Sequence, residues 1–133
     1  MTTPCVQLRK VSKDFCSANA RQQVLQQIEL SVFQSDRLVI YGPSGCGKTT
    51  LLHLLAFLDL PSSGTYLFRG EATHDWTEKQ RCSKRAQDIG LVFQNFHVLP
   101  SHSVLDNLLL RLRYLPSDVD ALDPVRLLSQ VGL

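Results

Sequence analysis

The residues best able to do chemistry fall in one run, Gly42-Pro43-Ser44-Gly45-Cys46-Gly47-Lys48-Thr49-Thr50. Within it, two glycines, a lysine and a hydroxyl stand at the fixed offsets Gly-x-x-x-x-Gly-Lys-Thr. Glycines let successive backbone N–H groups converge on an anion. A helix opening near Gly47 would add the positive end of its dipole. Lys48 would then place a point charge on the β- and γ-phosphates of a nucleotide. The Thr49 hydroxyl suits a Mg²⁺ ion bridging those phosphates. By average residue frequencies, such a pattern arises by chance in a chain this long in well under about 1 in 100 cases. The alternative is a glycine-rich turn with an incidental lysine. Cys46 reads as a small side chain at a variable loop position.

The flanking elements must position that run. Residues 37–41 (RLVIY) form a short continuous apolar stretch, the pattern of a buried parallel strand. Residues 48–58 are apolar almost all round, which predicts a buried helix, with His53 a satisfied core histidine. Upstream, residues 6–11 and 24–33 alternate as half-buried strands, with a polar loop over 14–21. Downstream, residues 61–64 read as a turn and 65–69 as a strand. Trp76 is expected to pack ahead of a polar helix opening at Thr77, with Gln80 in the capping-box place. Residues 89–94 form another short apolar strand. Ser103 with Asp106 predicts the cap of a helix running to about Tyr114. Asp123-Pro124 predicts the start of a last helix, ending at Gly132. The stripe Leu105, Leu108, Leu109, Leu112 and Leu115 follows a helical period. The order of elements is α/β.

Composition narrows the class. The chain has 133 residues, 44% hydrophobic and 20% charged, as in an ordinary globular domain. Its 14 basic and 12 acidic residues give a net charge of +2, too even to point to nucleic acid. No apolar run approaches the roughly 20 residues that span a bilayer, and the N-terminus is not patterned as a signal peptide. Cys5, Cys16, Cys46 and Cys82 form no C-x-x-C pair, and His53, His74, His97 and His102 show no metal-ligand spacing. Free thiols in a reduced, cytosolic chain are the simplest reading. The basic residues Lys79, Arg81, Lys84 and Arg85 read as a solvated helix face.

The stretch GPSGCGKTTLLHLLAFLDLPSSG, followed by IGLVFQNFHVLPSHSVLDNLLL, resembles the nucleotide-binding domain of ABC transporters. The resemblance runs from residue 6 to the end of the chain. The LLHLL…LDLPSSG part looks most like the lipoprotein-release and macrolide-export branch. The resemblance implies an α/β P-loop NTPase core with an antiparallel β part in front (6–99) and the beginning of a helical subdomain behind (100–133). It implies that Gly42 to Thr50 are the Walker A loop holding ATP, with Mg²⁺ on Thr49 and Gln94. Gln94 matches the family's Q-loop glutamine, which meets the metal and the attacking water. A Gln suits this, having both a carbonyl acceptor and an amide donor. Phe15 falls where the family stacks an aromatic ring on adenine. The implied partners are a transmembrane permease subunit and a second nucleotide-binding domain. The implied location is the cytoplasmic face of the cell membrane, as a peripheral protein.

The 133 residues contain no LSGGQ-like signature, Walker B strand, catalytic glutamate or switch histidine. Leu54 to Asp59 imitates a Walker B run. Placed in the helix after the loop, however, Asp59 would sit 11 residues beyond Lys48, about 16 Å away. The expectation is the N-terminal part of such a domain, binding ATP without efficient turnover. Two other readings stay open. One is a small P-loop phosphotransferase, which would need an arginine-rich lid. The other is a non-catalytic nucleotide-binding or interaction module.

Overall fold

The computed structural model describes residues 3–17, 20–95, 98–112 and 123–132. It divides into two compact units, Met1–Cys82 and Ser83–Leu133.

The first unit is built on a four-stranded antiparallel sheet. Its strands are β1 (Val6–Ser17), β2 (Ala20–Val32), β3 (Ser63–Phe68) and β4 (Glu71–Ala72), in the order β2-β1-β3-β4. The β1–β2 hairpin runs through the segment expected to be a polar loop, with Asp14 opposite Gln23 and Phe15 opposite Gln22. The outer half of this ribbon is polar because it stands largely clear of the core. Ladder hydrogen bonds rather than apolar burial set its conformation there.

Bulges interrupt β1 between Leu8 and Val11, between Val11 and Lys13, and between Lys13 and Asp14. Side chains satisfy the displaced backbone. The Lys10 N–H donates to Glu29 Oε1 at 3.1 Å, and the Gln27 N–H to Ser12 Oγ at 2.9 Å. The bulges break the two-residue alternation, so Val11, Ser12 and Lys13 are all buried in succession.

Helix α1 (Lys48–Leu55) leaves the glycine-rich loop. It is three residues shorter than the apolar pattern predicts, and only Leu54 in it is fully buried. A reversed turn stops it. Phe57 sits at φ 55°, its N–H donates to Leu54 O at 3.1 Å, and the Leu58 N–H donates to His53 O at 2.9 Å. This is a Schellman ending with phenylalanine where glycine is usual. The left-handed conformation costs about 1–2 kcal/mol. Burial of the ring offsets it. The Phe57 ring packs on Tyr66, Phe68 and Trp76 at centroid distances of 5.3, 5.2 and 5.2 Å. Trp76 is the packing residue its place in the sequence suggests.

Tyr66 ties the same corner together, its hydroxyl donating to Leu55 O at 3.0 Å. Burial pushes the Tyr66 phenol above its ordinary range, so it stays a donor. His53, expected in a core, is only half-buried.

Helix α2 (Glu78–Asp88) begins in the first unit and ends in the second. Its capping box is formed, since the Gln80 N–H donates to Thr77 Oγ1 at 3.3 Å and the Thr77 N–H to Gln80 Oε1 at 2.8 Å. The second unit continues with α3 (Val104–Leu112) and α4 (Pro124–Gln130). Ser103 and Asp106 cap α3 as predicted, and Asp123 caps α4 through the Val125 N–H. On α3, Leu108 and Leu109 are half-buried and Leu105 is more exposed. Tyr114 and Leu115 lie outside the described residues.

Two expected buried strands are not formed. Residues 37–41 and 89–94 are without ladder partners among the described residues; Leu38, Val39, Tyr41 and Val92 are exposed, and Ile40, Ile89 and Leu91 are only half-buried. Tyr41 is 89% exposed and Val92 95%. A parallel strand needs a hydrogen-bonded neighbour and covered faces, neither of which its own residues supply. Such a segment is a template for pairing with another chain. Purified alone, the 133-residue chain is expected to self-associate in size-exclusion chromatography with light scattering, increasingly so with concentration. A monodisperse monomer melting cooperatively above about 65 °C would contradict this.

Candidate phosphate-binding site

The loop between residue 41 and α1 turns on its glycines. Gly45 and Gly47 have φ of 79° and 96°, in the left-handed region. Gly47 is the N-cap of α1, and no side chain bonds to that cap. Its space is also taken. A Cβ at Gly47 would stand 2.9 Å from Leu25 Cδ2 and 3.0 Å from Val24 O, so the loop is pressed against β2. At Gly42 a Cβ would stand 2.9 Å from Cys46 Sγ.

Lys48 folds back over the loop. Its Nζ donates to Gly42 O at 2.9 Å and Pro43 O at 2.7 Å, and lies 3.7 Å from Cys46 Sγ. Cys46, like Pro43, Ser44 and Thr49, is exposed, whereas Thr50 is half-buried. The first turn of α1 carries no acidic residue. The donors therefore comprise backbone N–H groups at an uncapped helix start, one ammonium and the exposed hydroxyls of Ser44 and Thr49. This is the chemistry of an oxyanion or phosphate cradle. By its chemistry this set of donors would suit a polyphosphate.

Phe15 stands on β1 with 46% of its surface exposed. It shares the β1–β2 hairpin with the residues that Gly47 abuts. Gln94 lies in the second unit, exposed, in a bend rather than at the end of a strand. Among the described residues no group of His, Cys, Asp and Glu could hold a metal, and His97 lies outside them. The described cysteines, all four of the chain, are free thiols. No described helix is long and apolar enough to cross a membrane.

Asp59 needs correction. It follows the Schellman turn and is not in the helix. Its Oδ1 accepts from Lys13 Nζ at 2.5 Å and from the Leu60 N–H at 2.7 Å. Lys13 Nζ also donates to Leu60 O at 2.8 Å and lies over the Phe15 ring, 5.1 Å from its centroid. The sequence pattern offers no hint that Lys13 is buried, because the bulges that turn it inward follow from strand pairing.

The family model for ABC transporter matches residues 25–133. The chain belongs to the ABC transporter family. It is 39% identical over 127 residues to the lipoprotein-releasing system ATP-binding protein LolD of Legionella pneumophila strain Paris, covering 94% of this chain and 56% of that protein. It is 40% identical over 106 residues to LolD of Shewanella denitrificans, covering 80% of this chain and 46% of that protein. The chain thus spans about half the length of these curated relatives. Among solved structures, the ATP-binding cassette MJ0796, a dimer in a post-hydrolysis state bound to ADP and Pi, superposes with a TM-score of 0.84 at 26% identity. That match covers 96% of this chain and 57% of MJ0796. The P-loop α/β class and the resemblance to the lipoprotein-release branch both hold. The antiparallel sheet is formed, whereas residues 37–41 and 89–94 are in no ladder among the described residues.

Proposed function

We propose that this chain is the ATP-binding part of an ABC transporter subunit of the lipoprotein-releasing kind. The observation that carries the reading is the left-handed, uncapped Gly47 start of α1 beneath the Lys48 ammonium. ATP is held by the loop of Gly42 to Thr50. Mg²⁺ would be held by Thr49, and Gln94 is carried over as its second ligand from the family resemblance alone, its side-chain carbonyl being an oxygen of the hard type Mg²⁺ prefers. Phe15 takes the adenine ring. When bound, the metal neutralises charge building on the phosphates. The chain's own residues orient the triphosphate and place Lys48 on its terminal groups.

The partners in this reading are a transmembrane permease and a second nucleotide-binding domain. The location is the cytoplasmic membrane face. MJ0796, a dimeric cassette with ADP and Pi, and the LolD relatives, named for ATP binding and lipoprotein release, support it.

The test pairs a fluorescent ATP analogue with a phosphate-release assay on the 133-residue chain. Mg²⁺-dependent binding, displaced by ATP, is the expected result. Phosphate release should not exceed background, because these residues include no carboxylate at the position of the general base. No binding would overturn the proposal. Sustained release would overturn the expectation that these residues bind ATP without efficient turnover, and phosphate passing to a small-molecule acceptor would favour a phosphotransferase.

A further inference from the structure

The Lys13–Asp59 pair is part of neither the phosphate cradle nor the expected base-stacking residue, yet it links the Phe15 ring to the segment that follows α1. The bulges on either side of Lys13 turn its side chain inward, where 11% of its surface remains exposed against 30% for Asp59. The surrounding backbone is pinned. The Ser62 N–H donates to Ser12 O at 2.9 Å, and the Asp14 N–H donates to Ser62 Oγ at 3.0 Å. Asp14 Oδ2 in turn accepts from Arg21 at 2.6 Å. Lys13 Nζ is thus held by one carboxylate and one carbonyl from the segment that ends α1, while it lies over the Phe15 ring.

We propose that Lys13, fixed by Asp59, is a positioning residue for the nucleotide base. It fixes the Phe15 ring from one side, leaving the exposed remainder of that ring for the purine, and it ties the ring's place to the far end of the phosphate-loop helix. A cation over one face of an aromatic ring draws on its π density. The ring then becomes a better platform for an electron-rich base. The Asp59 carboxylate moderates this charge effect, so most of the contribution is geometric. The inference rests on the reading of Phe15 as the base-stacking residue.

The experiment measures binding of Mg²⁺-ATP and of Mg²⁺-tripolyphosphate, which has the same phosphate chain and no base, to the full 133-residue chain. The ratio of the two dissociation constants isolates the base. Phe15→Ala should lower the ATP preference roughly tenfold. Lys13→Met and Asp59→Asn should each lower it about threefold to tenfold, leave tripolyphosphate binding unchanged, and be rescued at least in part by Lys13→Arg.

If Phe15→Ala lowers the preference while Lys13→Met and Asp59→Asn do not, the positioning role is overturned and the base reading stands. Should Phe15→Ala leave the preference untouched, both fail. A purely structural pair would weaken both ligands equally, which also overturns the proposal. If Lys13→Met does not fold by circular dichroism, Asp59→Asn decides, since it keeps the lysine and loosens only its anchor.

Discussion

Lys48→Ala is expected to weaken Mg²⁺-ATP binding by about 10- to 100-fold, the equivalent of roughly 1.5–3 kcal/mol. The ammonium rests on two peptide carbonyls, Gly42 O and Pro43 O. Binding a triphosphate exchanges these neutral acceptors for charged oxygens, and charge-assisted hydrogen bonds are about twice as strong as neutral ones. The net gain is the difference, which sets the stated range rather than a larger one. Fold stability should change little, because the ammonium's present partners lie in an exposed loop. Titration with a fluorescent ATP analogue measures the effect. Equal dissociation constants for the two forms would remove the phosphate-loop reading.

The largest expected loss of stability comes from Gly64→Ala. Gly64 has φ of 88°, and a Cβ there would stand 2.2 Å from Lys10 O, 2.5 Å from Lys10 C and 2.6 Å from Val11 Cα. All three are backbone atoms, at a β1 bulge pinned on both sides by the pairs Arg9–Thr65 and Ser12–Ser63. No side chain can rotate aside, so the strand itself must move. The expected cost is at least about 3–5 kcal/mol, and the melting temperature should fall by more than about 10 °C. Gly45→Ala is the control. Gly45 is also left-handed, at φ 79°, but a Cβ there meets nothing within 4 Å. It should cost only the conformational preference, about 1–2 kcal/mol. Thermal unfolding followed by circular dichroism compares the two, and equal losses would refute the steric argument.

The features legible in the sequence are those decided within a few residues. The glycine-rich loop and the three caps at Thr77, Ser103 and Asp123 rest on local backbone demands, and each is formed. The features that stayed hidden depend on distant partners. Residues 37–41 carry the apolar pattern of a central strand, yet pairing is a property of neighbours and not of the segment. The apolar run after Lys48 predicts a helix to residue 58. It stops at Leu55 because the Phe57 ring finds three aromatic partners brought by β3 and the segment after it. The polar stretches 14–17 and 20–23 pair with each other because the ladder reaches beyond the core. Lys13 is buried by bulges that no periodicity announces.

Helices α2, α3 and α4 each begin on an oxygen supplied by their own chain, from Thr77, Ser103 and Asp123. Helix α1 begins on Gly47, which has no side chain to give. The cost of starting a helix is therefore settled internally three times and left outstanding once. An anion that meets those amides supplies the missing cap and stabilises the helix in the same act. For α1, ligand affinity and helix stability are then one quantity seen from two directions. A substitution that only loosens this helix would be read in a binding assay as a weaker site, although no contact to the ligand had changed.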